Sequence, residues 1–222
     1  VVDQETTEVE PEVEPEVEPE VVIEPVLQDI EFTDDNLPVR GGMYGEMVHR
    51  FTDGKDDRHN LRSATEVLAD DPEFASEVDA LGAELNIDPM ALMAVMDFES
   101  GFNPSIKNAA GSGATGLIQF MPKTARSLGT TTQALAGMTR KQQMVYVRRY
   151  FKQYGSRLSG GNVDDIYMAV LWPKAIGKPE SYPIFRKGTI AYTQNKGLDT
   201  NGDGVVTKYE AASKVSRKFY GY

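Results

Sequence analysis

The stretch from Asp88 to Pro122, DPMALMAVMDFESGFNPSIKNAAGSGATGLIQFMP, constrains the fold more than any other part of the chain. Between Met90 and Phe98 every side chain except Asp97 is apolar. A helix that is greasy on all sides has no face to offer water, so it belongs at the centre of a bundle. Asp88 can cap the free backbone donors at its start, and Pro89 suits the first helical position. The helix carries one carboxylate, Glu99, to its own end. A Gly-rich turn follows, then a second apolar segment holding a single amide, Gln119. No segment alternates apolar and polar residues well enough to read as a sheet, so the expected class is mainly α.

A carboxyl group partly desolvated at a helix end has its ionised form disfavoured and its pKa raised. It can then stay protonated near neutral pH and donate a proton to a glycosidic oxygen. The alternative is a helix-terminal Glu that faces water, the commoner use of this residue. Glu99 alone does not separate the two readings; its neighbours do.

Glu99-Ser100-Gly101-Phe102-Asn103-Pro104, followed by Gly113-Ala114-Thr115-Gly116-Leu117-Ile118-Gln119-Phe120-Met121-Pro122, resembles the signature of lytic transglycosylases of the soluble-lytic (SLT, goose-lysozyme-like) superfamily. The resemblance spans about residues 75 to 195. It implies a lysozyme-like helical domain with Glu99 as acid/base, Ser100 supporting it, and Ser100 and Gln119 in the glycan-binding set. One departure stands out. Where many members carry Ala-Tyr-Asn-Ala-Gly, whose Tyr hydrogen-bonds the acid, this chain reads Tyr167-Met168-Ala169-Val170-Leu171-Trp172-Pro173. Tyr167, one turn earlier on that helix, and Tyr192 in Ala191-Tyr192-Thr193-Gln194-Asn195 are the two candidates for the missing Tyr, with Asn195 beside the second. Each Tyr is equally well read as an ordinary core aromatic. The substitution resembles phage-encoded members more than bacterial housekeeping ones.

Around this window the chain divides into three parts. Residues 1–38 contain Val-Glu-Pro-Glu at 9–12, 13–16 and 17–20. Regular Pro removes backbone donors and like charges repel, so an extended, disordered acidic tail is expected, with uptake by a virion or tail protein as its binding reading. Residues 39–62 form an irregular lead-in that holds both histidines, His49 and His59, without the spacing of a zinc site. Residues 63–222 are the expected folded domain. Within it Asp71-Pro72 opens a helix to about Leu85, and Thr139 opens another with Met144, Val147, Tyr150, Phe151 and Tyr154 at helical period. Asp164 or Asp165 opens a third, and residues 173–197 are expected to be irregular. There Trp172, Tyr182, Phe185 and Tyr192 can stack on sugars or simply pack.

Asp199-Thr200-Asn201-Gly202-Asp203-Gly204-Val205-Val206-Thr207-Lys208-Tyr209-Glu210 matches the EF-hand loop at each diagnostic position. Side chains of Asp199, Asn201 and Asp203, the Val205 carbonyl, Thr207 directly or through a water, and a bidentate Glu210 would surround one Ca2+, with Gly204 permitting the sharp turn. Thr207 and Glu210 also form a Thr-x-x-Glu capping box for a last helix. The competing reading is an acidic turn that caps this helix without metal. A single loop, not a pair, points to a structural ion rather than a sensor.

The formal charge of −11 argues against nucleic acid, and no run approaches the ~18 apolar residues of a membrane span. The chain has no Cys, so neither disulfides nor thiol chemistry arise. The expected function is cleavage of peptidoglycan at the MurNAc-β-1,4-GlcNAc bond by a lytic transglycosylase with Glu99 as its single acid/base. No Asp or Glu lies between Ser100 and Pro122 to serve as the second carboxylate of a hydrolase, though Asp164, Asp165 or Glu180 could approach in space. A hydrolytic lysozyme and a non-catalytic glycan-binding tail module stay open. The expected location is a phage virion acting on the bacterial wall, with the bacterial periplasm as alternative.

Overall fold

The computed structural model describes residues 64–109 and 111–220. The expected acidic tail, the lead-in and the two histidines lie outside the described residues. The described part is mainly helical and shares one hydrophobic core.

Helix α1 (Ala64–Asp70) runs straight into α2 (Pro72–Leu85), with Asp71 between them accepting from the Phe74 N–H at 3.1 Å. Asn86, in the left-handed conformation (φ 53°), ends α2 and turns the chain into α3 (Pro89–Ser100). The start of α3 is as the sequence predicts: Asp88 accepts from the Met90 N–H at 2.8 Å, and Pro89 occupies the first turn.

The apolar character of α3 is explained by what covers it, for α1, α2, α7 and α9 all pack against it. Leu92, Met93, Val95 and Met96 are essentially inaccessible, and each such side chain contributes about 1.5–3 kcal/mol through burial. Two short helices, α4 (Pro122–Ser127) and α5 (Thr132–Ala136), lead to α6 (Arg140–Lys152). A complete capping box opens α6: the Gln142 N–H donates to Thr139 Oγ1 and the Thr139 N–H to Gln142 Oε1. Its polar face latches onto α2, with Arg148 bridging Glu77 (2.9 Å) and Glu84 (2.5 Å) while Lys152 reaches Glu84 at 2.5 Å.

Helix α7 (Val163–Leu171) is capped by Asn162, whose Oδ1 accepts from the Asp165 N–H at 3.0 Å, not by Asp164 or Asp165. The two acids serve elsewhere: Asp164 accepts from the Ser216 hydroxyl, and Asp165 accepts from Lys208 Nζ (2.5 Å) and the Gly177 N–H (2.7 Å). The stretch expected to be irregular holds β1 (Pro183–Arg186) and α8 (Ile190–Asn195). Strand β1 pairs antiparallel with β2 (Val205–Thr207) through Phe185↔Val206 and Arg186↔Val205. Strands this short give no alternation to read, so the sheet is invisible to pattern analysis. The last helix, α9 (Lys208–Tyr220), packs on α7 and α3 and pairs Lys218 with Asp97 at 2.7 Å.

Candidate active site

Glu99 is 2% exposed, one residue from the end of α3, so the chain carries a carboxyl into the core at the helix terminus. The exit from the helix is tight. Gly101 (φ 56°) takes the left-handed conformation that glycine tolerates and bonds back to the Asp97 carbonyl at 2.8 Å. Phe102 follows with φ 62° and its ring fully buried, an arrangement that costs on the order of 1–3 kcal/mol and persists only where the surroundings dictate it. The Phe102 carbonyl accepts from Arg140 Nε at 2.8 Å, and Arg140 also pairs with Asp71.

The loop from 104 to 121 folds back over this exit. Its frame is a small ladder in which Thr115 and Phe120 exchange both backbone bonds (3.1 and 2.9 Å) while the Gly116 N–H reaches the Ile106 carbonyl at 3.0 Å. Ser100 Oγ points to the Met96 carbonyl (2.8 Å) and the Leu117 carbonyl (3.0 Å). At 5% exposure it fastens the loop to α3 and leaves no free donor for a sugar.

Gln119 sits in the left-handed region (φ 52°) and is 3% exposed. Its Nε2 donates to the carbonyls of Gly116 (3.1 Å) and Ile106 (3.4 Å), while its Oε1 is buried without a hydrogen-bond partner. A buried acceptor left unmade costs about 1–3 kcal/mol, and such groups concentrate where a ligand completes them. Tyr167 is fully buried on α7 with its ring edge-on to Phe98, the residue before Glu99 (centroids 5.4 Å, 82°). It backs α3 and has no surface for a sugar.

The remaining substrate candidates belong to a second region. Tyr192 donates its hydroxyl to Asp199 Oδ2 at 2.6 Å, so it is a fixture of the 199–210 loop. Asn195 is buried with Nδ2 donating to the Ala191 carbonyl at 2.9 Å and Oδ1 without a partner. Trp172 and Phe185 pack edge-on against each other at 5.4 Å rather than standing free for stacking.

In that loop the oxygen-bearing side chains turn inward onto their own backbone. Asp199 accepts from the N–H groups of Gly202 (2.8 Å) and Gly204 (2.9 Å), Asn201 Oδ1 from Asp203, and Asp203 Oδ1 from Val205. Glu210, 5% exposed, accepts from Thr207 N–H and hydroxyl on one oxygen (2.9 and 2.8 Å) and from Thr200 on the other (3.2 and 3.1 Å). The Glu210 N–H donates to Thr207 Oγ1 at 3.3 Å, so the expected capping box forms. The Tyr192 hydroxyl holds the Asp199 carboxyl below the usual range, burial opposes it, and the Gly204 and Gly202 amides add to the lowering. Burial pushes Glu210 up, but the Thr207 and Thr200 donors outweigh it and leave its pKa lowered. Among the described residues no three Asp, Glu, His or Cys side chains stand close enough to hold an ion as placed. The donor chemistry nonetheless suits Ca2+, being all hard oxygen with Gly204 (φ 85°) at the turn.

Gln143 is the residue that sequence reasoning missed. Fully buried on α6, it accepts from the Leu117 N–H (2.9 Å) and donates to the carbonyls of Pro104 (2.6 Å) and Leu135 (2.7 Å). The signal was present: Gln143 lies one helical turn before Val147 on the buried stripe, a polar residue at a core position.

Residues 78–145 match the model of the transglycosylase SLT domain. A transglycosylase of Enterobacteria phage PRD1 is 44% identical over 54 residues, which are 24% of this chain and 20% of that protein. The chain thus covers about a fifth of this relative's length. The SLT match contains all of α3 and the loop bearing Gln119, the two parts that build the candidate site, so this segment of the chain is similar to the transglycosylase SLT domain.

Proposed function

We propose that the protein is a peptidoglycan-cleaving lytic transglycosylase in which Glu99 alone supplies acid/base chemistry. The observation that carries this reading is the carboxyl of Glu99, 2% exposed at the end of an apolar helix, a setting that favours its protonated form. Glu99 protonates the glycosidic oxygen between N-acetylmuramic acid and N-acetylglucosamine as the bond to the muramyl anomeric carbon breaks. The carboxylate then takes the proton of the muramyl 6-hydroxyl, whose oxygen closes a 1,6-anhydro ring. The proton ends on the leaving N-acetylglucosamine and no water is consumed. We assign Gln119 Oε1, the buried acceptor without a protein partner, as the acceptor for an N–H or O–H of the glycan.

A hydrolase would bring a second carboxylate to the opposite side of the bond. The nearby acids are committed elsewhere: Asp97 to Lys218, Asp164 to Ser216, Asp165 to Lys208 and the Gly177 amide. Digestion of purified murein followed by mass spectrometry tests the reading. Anhydro-muropeptides support it, hydrated products replace it with a lysozyme, and no product leaves a glycan-binding module.

The loop 199–210 fits a structural Ca2+ held by Asp199, Asn201, Asp203, Thr207, Glu210 and the Val205 carbonyl. Bound there, the ion would supply charge that holds these oxygens together. Its consequence runs through this chain's own residues, because α9 begins inside the loop and packs against α3 and α7. Lys208, 3% exposed, joins the loop to Asp165 of α7.

The phage source of the relative supports the reading of a phage protein acting on the bacterial wall, and a place in the virion belongs to the same proposal. Charge distribution supports a wall substrate. Of the 34 acidic residues, 14 lie within the first 35 positions, which hold no Lys or Arg, so the rest carries 20 acids against 23 bases. A nearly balanced domain is repelled less by an anionic wall than the total charge implies. The acidic residues 1–38 are the segment we assign to a virion partner. Among the described residues no helix is long and apolar enough to cross a membrane.

A further inference from the structure

The loop that carries Gln119 is bonded to α3 through Ser100, and it is also seated on a third element, the first turn of α6. Leu117 is gripped from two sides. Its carbonyl accepts from Ser100, the neighbour of Glu99, and its N–H donates to Gln143 Oε1 at 2.9 Å. The Gln143 Nε2 spends both protons, on the carbonyls of Pro104 (2.6 Å) and Leu135 (2.7 Å), so one side chain ties together the loop's entry, its apex and α5. The loop backbone lies directly on this amide. A Cβ added at Gly116 (φ 82°) would come within 2.5 Å of Gln143 Oε1. One turn earlier on the same helix face, Arg140 Nε holds the Phe102 carbonyl at 2.8 Å. Between these two anchors lie the left-handed residues Phe102 and Gln119, conformations that survive only where the surroundings over-determine them.

We infer that Gln143 is a positioning residue for the reaction: its buried amide sets the 104–119 loop against α3, and with it the place of Gln119 relative to Glu99. The inference rests on the reading of Glu99 as acid/base. An apolar side chain of equal length would leave the Leu117 N–H and two carbonyls to find new partners, and the loop would shift. A displacement of about 1 Å costs a positioned reaction on the order of 100-fold, so a smaller slip gives a loss of about ten-fold or more.

The test compares Gln143→Met and Gln143→Glu with Val67→Ala, a core truncation in α1, all assayed on solubilised murein glycan well below their melting temperatures. The Gln143→Glu variant keeps an acceptor for Leu117 and gives up the donations. Both Gln143 variants are expected to lose at least about ten-fold in kcat with KM changed by less than about three-fold, while Val67→Ala melts lower and keeps its kcat. A native-like kcat in either folded Gln143 variant overturns the inference, as does an equal loss in Val67→Ala. The Glu99→Gln variant is run alongside; activity there would sink the acid/base reading instead. Hydrogen exchange in the native protein gives a reading that needs no variant. The Leu117 amide should exchange as slowly as the slowest amides of α3, and exchange about 100-fold faster would show that Gln143 does not hold the loop.

Discussion

Two polar regions of this molecule are built on opposite rules. In the window from Glu99 to Gln119 the Leu117 backbone is held on both sides by the Gln143 amide and the Ser100 hydroxyl, yet Gln119 keeps an acceptor that no protein group meets. In the loop from Asp199 to Glu210 the carboxylates of Asp199, Asp203 and Glu210 are each met by N–H or hydroxyl groups of the loop or of Tyr192. The first region is rigid around an incomplete polar group, and in the second each of these carboxylates has a partner. A buried group left unmade calls for an explanation that a ligand can supply, whereas the loop's carboxylates are held by internal bonds that still leave lone pairs for a cation. The contrast predicts that the two regions respond differently to substitution.

The largest effect belongs to Glu99. Glu99→Gln keeps the shape of the side chain and removes its exchangeable proton, so cleavage should fall by about 100-fold or more with the melting temperature unchanged. Turnover of murein, followed by release of soluble glycan, measures it. A variant that cleaves normally would remove the window's claim to chemistry.

Calcium comes next and addresses the other side of the comparison. If the loop takes up an ion, free calcium at ~100 times Kd adds about 2.7 kcal/mol to stability. A chelator should then lower the melting temperature, with activity falling partly as α9 loosens against α3. Asp203→Ala should reproduce the chelated state and be insensitive to chelator. Calorimetry that detects no calcium binding would leave the loop as a self-capped turn, the reading its present bonds favour.

Much of the core was legible in sequence because its signals are local. Asp88, Pro89 and the unbroken apolar run define α3, and the Thr139 box defines the start of α6. The signals that failed were relational. Nothing in the stretch after Asn162 reveals that Asp164 and Asp165 are taken by Ser216 and Lys208, partners 52 and 43 residues away, so the cap fell to Asn162. Gln143 escaped for the same reason, since its partners Leu117 and Pro104 are backbone groups 26 and 39 residues distant. By its place in a motif Tyr192 reads as a Tyr for the acid, a stacking residue or a core aromatic, whereas its hydroxyl is spent on Asp199. Motif position locates a residue along the chain; hydrogen bonding decides what it serves.

A smaller effect is expected at Gln119. Gln119→Met keeps the length of the side chain and deletes the orphan acceptor, so kcat/KM should drop about ten-fold, the scale of a single hydrogen bond of ~1.4 kcal/mol. The loss should appear in murein turnover while a chelator changes the variant's melting temperature as much as it changes that of the native protein. If the variant is fully active, the unmet acceptor is a feature of packing and the window and the loop are less different than they look.

The smallest effect, and the sharpest for the comparison, comes from Tyr192→Phe. The hydroxyl is the leading cause that keeps Asp199 ionised to lower pH, and in return the Asp199 acceptor raises the pKa of Tyr192. A carboxylate with a lowered folded-state pKa gives stability that is fully present above its unfolded value and is lost as pH falls through the folded value. Removing the donor moves the folded value of Asp199 back towards the unfolded one. Without calcium, the variant should therefore be slightly less stable at neutral pH and lose less on acidification, so that the two curves converge as the pH falls through the carboxylate range. Thermal melts between about pH 3 and pH 7 read this shift across the carboxylate range. Murein cleavage at neutral pH should stay near the native rate, because Tyr192 serves the loop and not the sugar. A ten-fold rise in KM with an unchanged acid limb would reverse the assignment and move Tyr192 into the glycan site.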